Sequence, residues 1–119
     1  MASTSAANVL VGVSNAIVKL HKEQFGRGPT YARAEFAGPD ALVCILEGAL
    51  LPAERALVEL GEESRVRELR TVLQAGTHQR FVDTVEEITG RKVRAFSSSI
   101  DPIAGIVFET FALEPQRAA

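Results

Sequence analysis

The residues most capable of chemistry fall into two groups. The first is Gly26-Arg27-Gly28-Pro29, where a guanidinium sits between two glycines. Glycine-rich loops grip phosphate when backbone N–H groups at a helix N-terminus point at the anion. Here the glycines follow a helical pattern, so they sit at the negative end of the helix dipole, and no Lys-Ser/Thr pair completes a Walker loop. The alternative is a helix stop and corner, with Gly26, Gly28 and Pro29 as a structural loop. Arg27 keeps anion or partner binding open, because a corner does not need a guanidinium.

The second group is Arg67, Arg70, Thr71, Gln74 and His78. Spacings of three and four put them on one face of a helix. That face either binds an anion or a partner, through Arg67, Arg70 and His78, or is solvated with Glu63 and Arg67 paired.

Other chemistries lack their residues. The two histidines, His21 and His78, have no second His or Cys at ligand spacing, so no metal is expected. Ser97-Ser98-Ser99 lies in no G-x-S-x-G elbow and reads as an exposed or edge strand face. Glu86 and Glu87 are adjacent and point apart on a helix, so they form no carboxylate pair. Cys44, in "ALVCIL", reads as a core residue. No catalytic set and no cofactor are expected.

The elements that position these residues are legible from periodicity. From Ala6 to Phe25, Val9, Leu10, Val13, Ala16, Ile17 and Leu20 form one helical stripe. Gly26 suits the left-handed residue after that helix, and Pro29 forbids its continuation. "TYARAEFAG" alternates, with Ala32, Ala34 and Phe36 on one side and Tyr31, Arg33 and Glu35 on the other. "ALVCILEG" is apolar on both faces, which predicts a central strand. A short helix starts at Pro52. A long helix follows with a stripe of Val66, Leu69, Leu73, Thr77, Phe81, Val85 and Ile88, closed by Gly90. Within it, Gly76 marks a bend or a close backbone approach. "KVRAFSSSI" and "IVFETFAL" form a second hairpin. The expected fold is α+β, in the order α-β-β-α-α-β-β, with helices packed on one face of a mostly antiparallel sheet of two hairpins. One domain spans 6–114, with flexible tails at 1–5 and 115–119.

The chain has 119 residues, 46% of them apolar, and a net charge of -2. A chain of this length buries roughly 65% of its unfolded surface, enough for one core. The charge gives no basic footprint for nucleic acid. No apolar run is long enough to insert in a membrane, and no basic residue precedes the first apolar stretch, so a cytoplasmic protein is expected. The wide stripe of the first helix, set against so few strands, favours a homodimer.

"GRGP" after an amphipathic helix, "GALLPAERAL", the passage "VRELR…FVDTVEEITGRKV" and the closing "IVFETFAL" together resemble the MpsC-like family, over roughly residues 6–114. That family takes its name from a Na+-translocating, membrane-potential-generating system. One departure is Leu51, where the family tends to have a capping threonine; Glu54 keeps its place in the first turn. The resemblance implies a small protein, some relatives of which are encoded beside a membrane system connected with inorganic-carbon uptake. It supplies no catalytic residues. Three functions remain open: a non-enzymatic accessory protein contacting itself or a membrane transport-system protein, a sensor of bicarbonate or a phosphate metabolite, and an enzyme with a site shared across a dimer.

Overall fold

A computed structural model describes residues 5–116. The element order is α1 (Ala6–Phe25), β1 (Tyr31–Phe36), β2 (Ala41–Glu47), α2 (Pro52–Glu59), α3 (Glu63–Thr89), β3 (Val93–Asp101) and β4 (Ile106–Leu113). The strands form one antiparallel sheet in the order β1-β2-β4-β3. Both hairpins are present and meet along β2 and β4. The strand that reads as apolar on both faces, β2, is indeed central.

Alternation fixes which side of the sheet is covered. Ala34, Leu42, Cys44, Leu46, Val107, Phe111 and Leu113 are buried and point toward the helices. From α1 they meet Val13, Ile17 and Leu20, and from α3 Val66, Phe81 and Val85. Helix α1 packs on β1, and α3 on β3 and on α1. Burial pushes the Cys44 thiol up to about 12, helped by the neighbouring Glu109 charge, which makes it a poor nucleophile.

The caps follow the sequence. The Ser5 side chain accepts from Asn8 N–H at 3.1 Å, so Ser5 starts α1 rather than belonging to a tail. Residues 1–4 and 117–119 of the expected tails lie outside the described residues. Leu51 has no side-chain oxygen to cap α2. Glu54 nevertheless accepts from Leu51 N–H at 2.9 Å, so half of a capping box survives.

The stripe on α3 needs correction. Leu69 is 42% exposed, whereas Arg70 is 8% exposed. The helix turns Arg70 inward because a buried carboxylate, described below, waits for it. Gly76 is exposed and a Cβ there would meet nothing within 4 Å, so no backbone approaches it closely.

Gly26 has φ of 83° and donates its N–H to Lys22 O at 2.8 Å, the expected left-handed helix stop. Valine at position 26 is expected to cost about 1 kcal/mol or more, because a β-branched side chain clashes in that conformation. Arg27 is exposed. Its replacement by alanine is expected to change stability by less than about 0.5 kcal/mol. Urea denaturation of both variants checks the pair.

Candidate functional site

Arg70 is the hub of a buried polar cluster. Its Nε donates to Glu54 Oε2 at 2.7 Å, and its Nη2 to Glu54 Oε1 at 2.6 Å and to Ala49 O at 2.8 Å. Its Nη1 lies 3.0 Å from His21 Nε2. The guanidinium carbon sits 4.0 Å above the centre of the Phe25 ring. Each partner is placed by its element. His21 and Phe25 are four residues apart near the end of α1, so they share a face, with ring centroids 4.6 Å apart. Glu54 is fixed in the first turn of α2.

The fork-to-fork geometry sets the charge states. Glu54 is 1% exposed. Burial alone would raise its pKa, but the hydrogen bonds from Arg70 and Leu51 and the Arg70 charge together hold it below its ordinary value. His21 is lowered to about 4, by burial first and by the Arg70 charge second. It is therefore neutral near pH 7. Arg70 can only donate, so His21 Nε2 must accept and the ring proton resides on Nδ1. That buried Nδ1 has no hydrogen-bond partner. The Arg27 backbone lies close to the ring but outside hydrogen-bond geometry. It and the Glu54 charge pull the pKa weakly upward.

A second buried carboxyl faces the cluster. Glu109 lies on β4, opposite Cys44 of β2 and Ser98 of β3. It is 3% exposed. Ser98 donates a short hydrogen bond to Glu109 Oε1, and Oε2 has no partner. Burial pushes this carboxyl up to about 7, against the downward pull of the Ser98 hydrogen bond and the Arg70 charge. Near neutral pH Glu109 is therefore poised between its two forms.

Between these groups lies a cavity of about 210 Å³. Helix α1 lines it with His21, Gln24 and Phe25, and α3 with Arg67, Arg70, Thr71, Gln74, Thr77 and Phe81. Ser98, Ser99 and Ile100 of β3, with Val107 and Glu109 of β4, form its floor. The walls are held by their own bonds: Gln24 Nε2 donates to Leu73 O at 2.8 Å and Thr71 Oγ1 to Arg67 O at 2.8 Å. Arg67 Nη1 donates to Ile100 O at 3.0 Å, a contact in place of the expected pairing with Glu63.

The four candidates from the sequence separate. Arg67 and Arg70 meet at the cavity. His78 is exposed and packs on Phe96, with centroids 5.1 Å apart, away from the lining. Arg27 stays on the surface, and only its backbone approaches His21. Gly26, Gly28 and Pro29 form the corner after α1. The serine run is on an edge strand, as expected, but Ser98 turns inward. Sequence reasoning passed over His21, Glu54, Ser98 and Glu109 as site residues. Glu109 had a signal: in "IVFETFAL" it alternates with Val107, Phe111 and Leu113, a carboxyl at a core position.

Among the described residues, no three His, Cys, Asp or Glu side chains are grouped as a metal ion would require. No described helix is long and apolar enough to cross a membrane. The family model described as Na+-translocating membrane potential-generating system (MpsC) matches residues 7–115. Neither a curated protein nor a solved structure matches the chain.

Proposed function

The chain belongs to the MpsC family, and from that premise we propose that it is a non-enzymatic, cytoplasmic accessory protein whose cavity between α1, α3 and the sheet senses a small anion. The observation that carries this reading is the meeting of Arg67 and Arg70 at one concave, partly open cavity of mixed polar and apolar lining. Two guanidinium groups at a concave site suit an anion better than a flat apolar surface would. The reading is non-enzymatic because Arg70 spends four of its five N–H groups on Glu54, Ala49 and His21. It is a fixed support more than a group free to follow a reaction. The family's description names a Na+-translocating membrane potential-generating system, which supports a link between this chain and such a system.

Titration with sodium acetate at pH 6, followed through backbone amide resonances, tests the cavity. The expected result is saturable shifts at Gln24, Thr77 and Ser98, which Arg67→Ala weakens. Shifts confined to exposed arginines outside the cavity, such as Arg27 and Arg80, would contradict it.

A protein-contact role has a specific observation of its own. The sheet face away from the helices carries Val43, Ile45, Ile106 and Phe108, with Phe108 36% exposed. A twofold dimer through this face would cover them. Light scattering is expected to show a dimer at micromolar concentration, which Phe108→Glu converts to monomer. A wild-type monomer at that concentration would sink the dimer.

A further inference from the structure

Glu109 Oε2 is a buried oxygen with no partner, at the edge of a cavity that contains guanidinium groups. The groups around it can be counted by element. From β2 comes the Cys44 thiol, uncharged because burial pushes it up to about 12. From β3 comes Ser98, whose hydroxyl is committed to the other carboxyl oxygen. From α3 come Arg70, neutralised by Glu54 of α2, and Arg67. From α1 comes His21, neutral near pH 7.

The two forms of Glu109 have opposite needs. Ionised, Oε2 is a buried acceptor with no donor. Protonated, it is a donor with no acceptor, beside the one Arg70 N–H that Glu54, Ala49 and His21 leave free, with the exposed Arg67 at the cavity mouth. A small monoanion answers the need of the protonated form, since one of its oxygens accepts a hydrogen bond from Glu109 and the other can accept from the free Arg70 N–H and from Arg67. An anion beside ionised Glu109 would instead be repelled. Phe25, Phe81, Ile100 and Val107 supply apolar wall. A cavity of about 210 Å³ has room for a short carbon tail, since an engineered one of about 150 Å³ accepts benzene.

We propose that the cavity binds a small monocarboxylate together with one proton, held on Glu109 Oε2 and donated to a ligand oxygen. This rests on the anion-binding reading above and adds proton coupling to it. The proton is already on Glu109 below its pKa of about 7 and is taken from solvent on binding above it; no covalent bond forms, and the ligand stays ionised. The remaining Arg70 N–H and the free N–H groups of Arg67 meet the other ligand oxygen. The protein then reports an anion concentration weighted by acidity.

The test is calorimetry with sodium acetate and sodium butyrate, both ionised at pH 6 and at pH 8. For wild type we expect affinity about tenfold weaker at pH 8, because Glu109 gives up its proton near pH 7. At pH 7 the heat should differ between buffers of different ionisation enthalpy by the amount that proton uptake requires. Glu109→Gln, which keeps a donor but cannot ionise, is expected to bind equally at both pH values. Binding by wild type with equal affinity at pH 6 and pH 8 would overturn the coupling and leave the anion reading in place. No binding by wild type or by Glu109→Gln at either pH would overturn the anion reading itself. Methylammonium bound more tightly at pH 8, and lost in Glu109→Gln, would overturn both. If Glu109→Gln fails to fold, the wild-type pH pair and the buffer heats still decide the question.

Discussion

Replacing Arg70 with alanine is expected to lower the unfolding free energy by about 3–5 kcal/mol. Small domains have only about 5–15 kcal/mol in total, so this variant stands at the edge of folding. The cost does not come from the attraction of a pair in isolation. It comes from leaving Glu54 as a buried carboxylate with one remaining donor, Leu51 N–H, and from removing the donors to Ala49 O and His21 Nε2. Removing both charges is expected to hurt less than removing one. Arg70→Met with Glu54→Gln leaves no uncompensated charge, and it should recover part of the loss. Urea denaturation of the two single variants and the double variant measures this. A loss below about 1 kcal/mol for Arg70→Ala would mean that Glu54 reaches water. The buried cluster would then not be the frame of the cavity.

The second large effect is hidden in the wild type. Folded Glu109 holds its proton up to about pH 7, against an ordinary value of 4.5. Between these values the folded state binds more protons than the unfolded state, so this group makes stability fall as pH rises. Folded His21 stays neutral down to about pH 4, against an ordinary value of 6.5. Between those values the unfolded state binds more protons, so this group makes stability rise as pH rises. Each effect amounts to about 3 kcal/mol at about 1.4 kcal/mol per pH unit. They oppose one another between about pH 4.5 and pH 6.5 and nearly cancel. Single variants separate them. Relative to wild type, Glu109→Gln is expected to gain about 3 kcal/mol as pH rises from 4.5 to 7. Relative to wild type, His21→Gln should gain a similar amount as pH falls from 6.5 to 4. Glu54 acts lower: its depressed pKa contributes stability above its ordinary value, which is lost as pH falls through the folded value. Denaturation curves across this range decide the matter. A difference from wild type that does not change with pH, in either variant, would contradict the burial assigned to that residue.

The fold was readable because its signals are local. Ala32, Ala34 and Phe36 alternate, Gly26 and Gly90 stop helices with positive φ, and β2 is apolar on both faces, one buried under the helices and the other half-buried, as a strand with neighbours on both edges. The site was only half readable because its parts are distant in the chain. His21 and Arg70 are 49 residues apart, and Arg70 and Glu54 are 16 apart. Nothing in the helical spacing of Arg67, Arg70 and His78 tells which of them will find a buried carboxylate. It was α2, by fixing Glu54, that selected Arg70 and drew it inward in place of Leu69. Likewise Glu54 carries two duties, the first turn of α2 and the Arg70 partner, and only the first has a sequence pattern. Glu109 is different: its core position was visible in the alternation of β4, but its meaning depends on α1 and α3 leaving a cavity above it.

The most direct measurement is the carboxyl carbon resonance of Glu109, followed through a pH titration with and without sodium acetate. The result expected is a midpoint near 7 in the free protein, moved upward when acetate is present, because the bound anion favours the protonated carboxyl. A midpoint near 4.5 that acetate leaves unchanged, as for an exposed glutamate, would contradict the account.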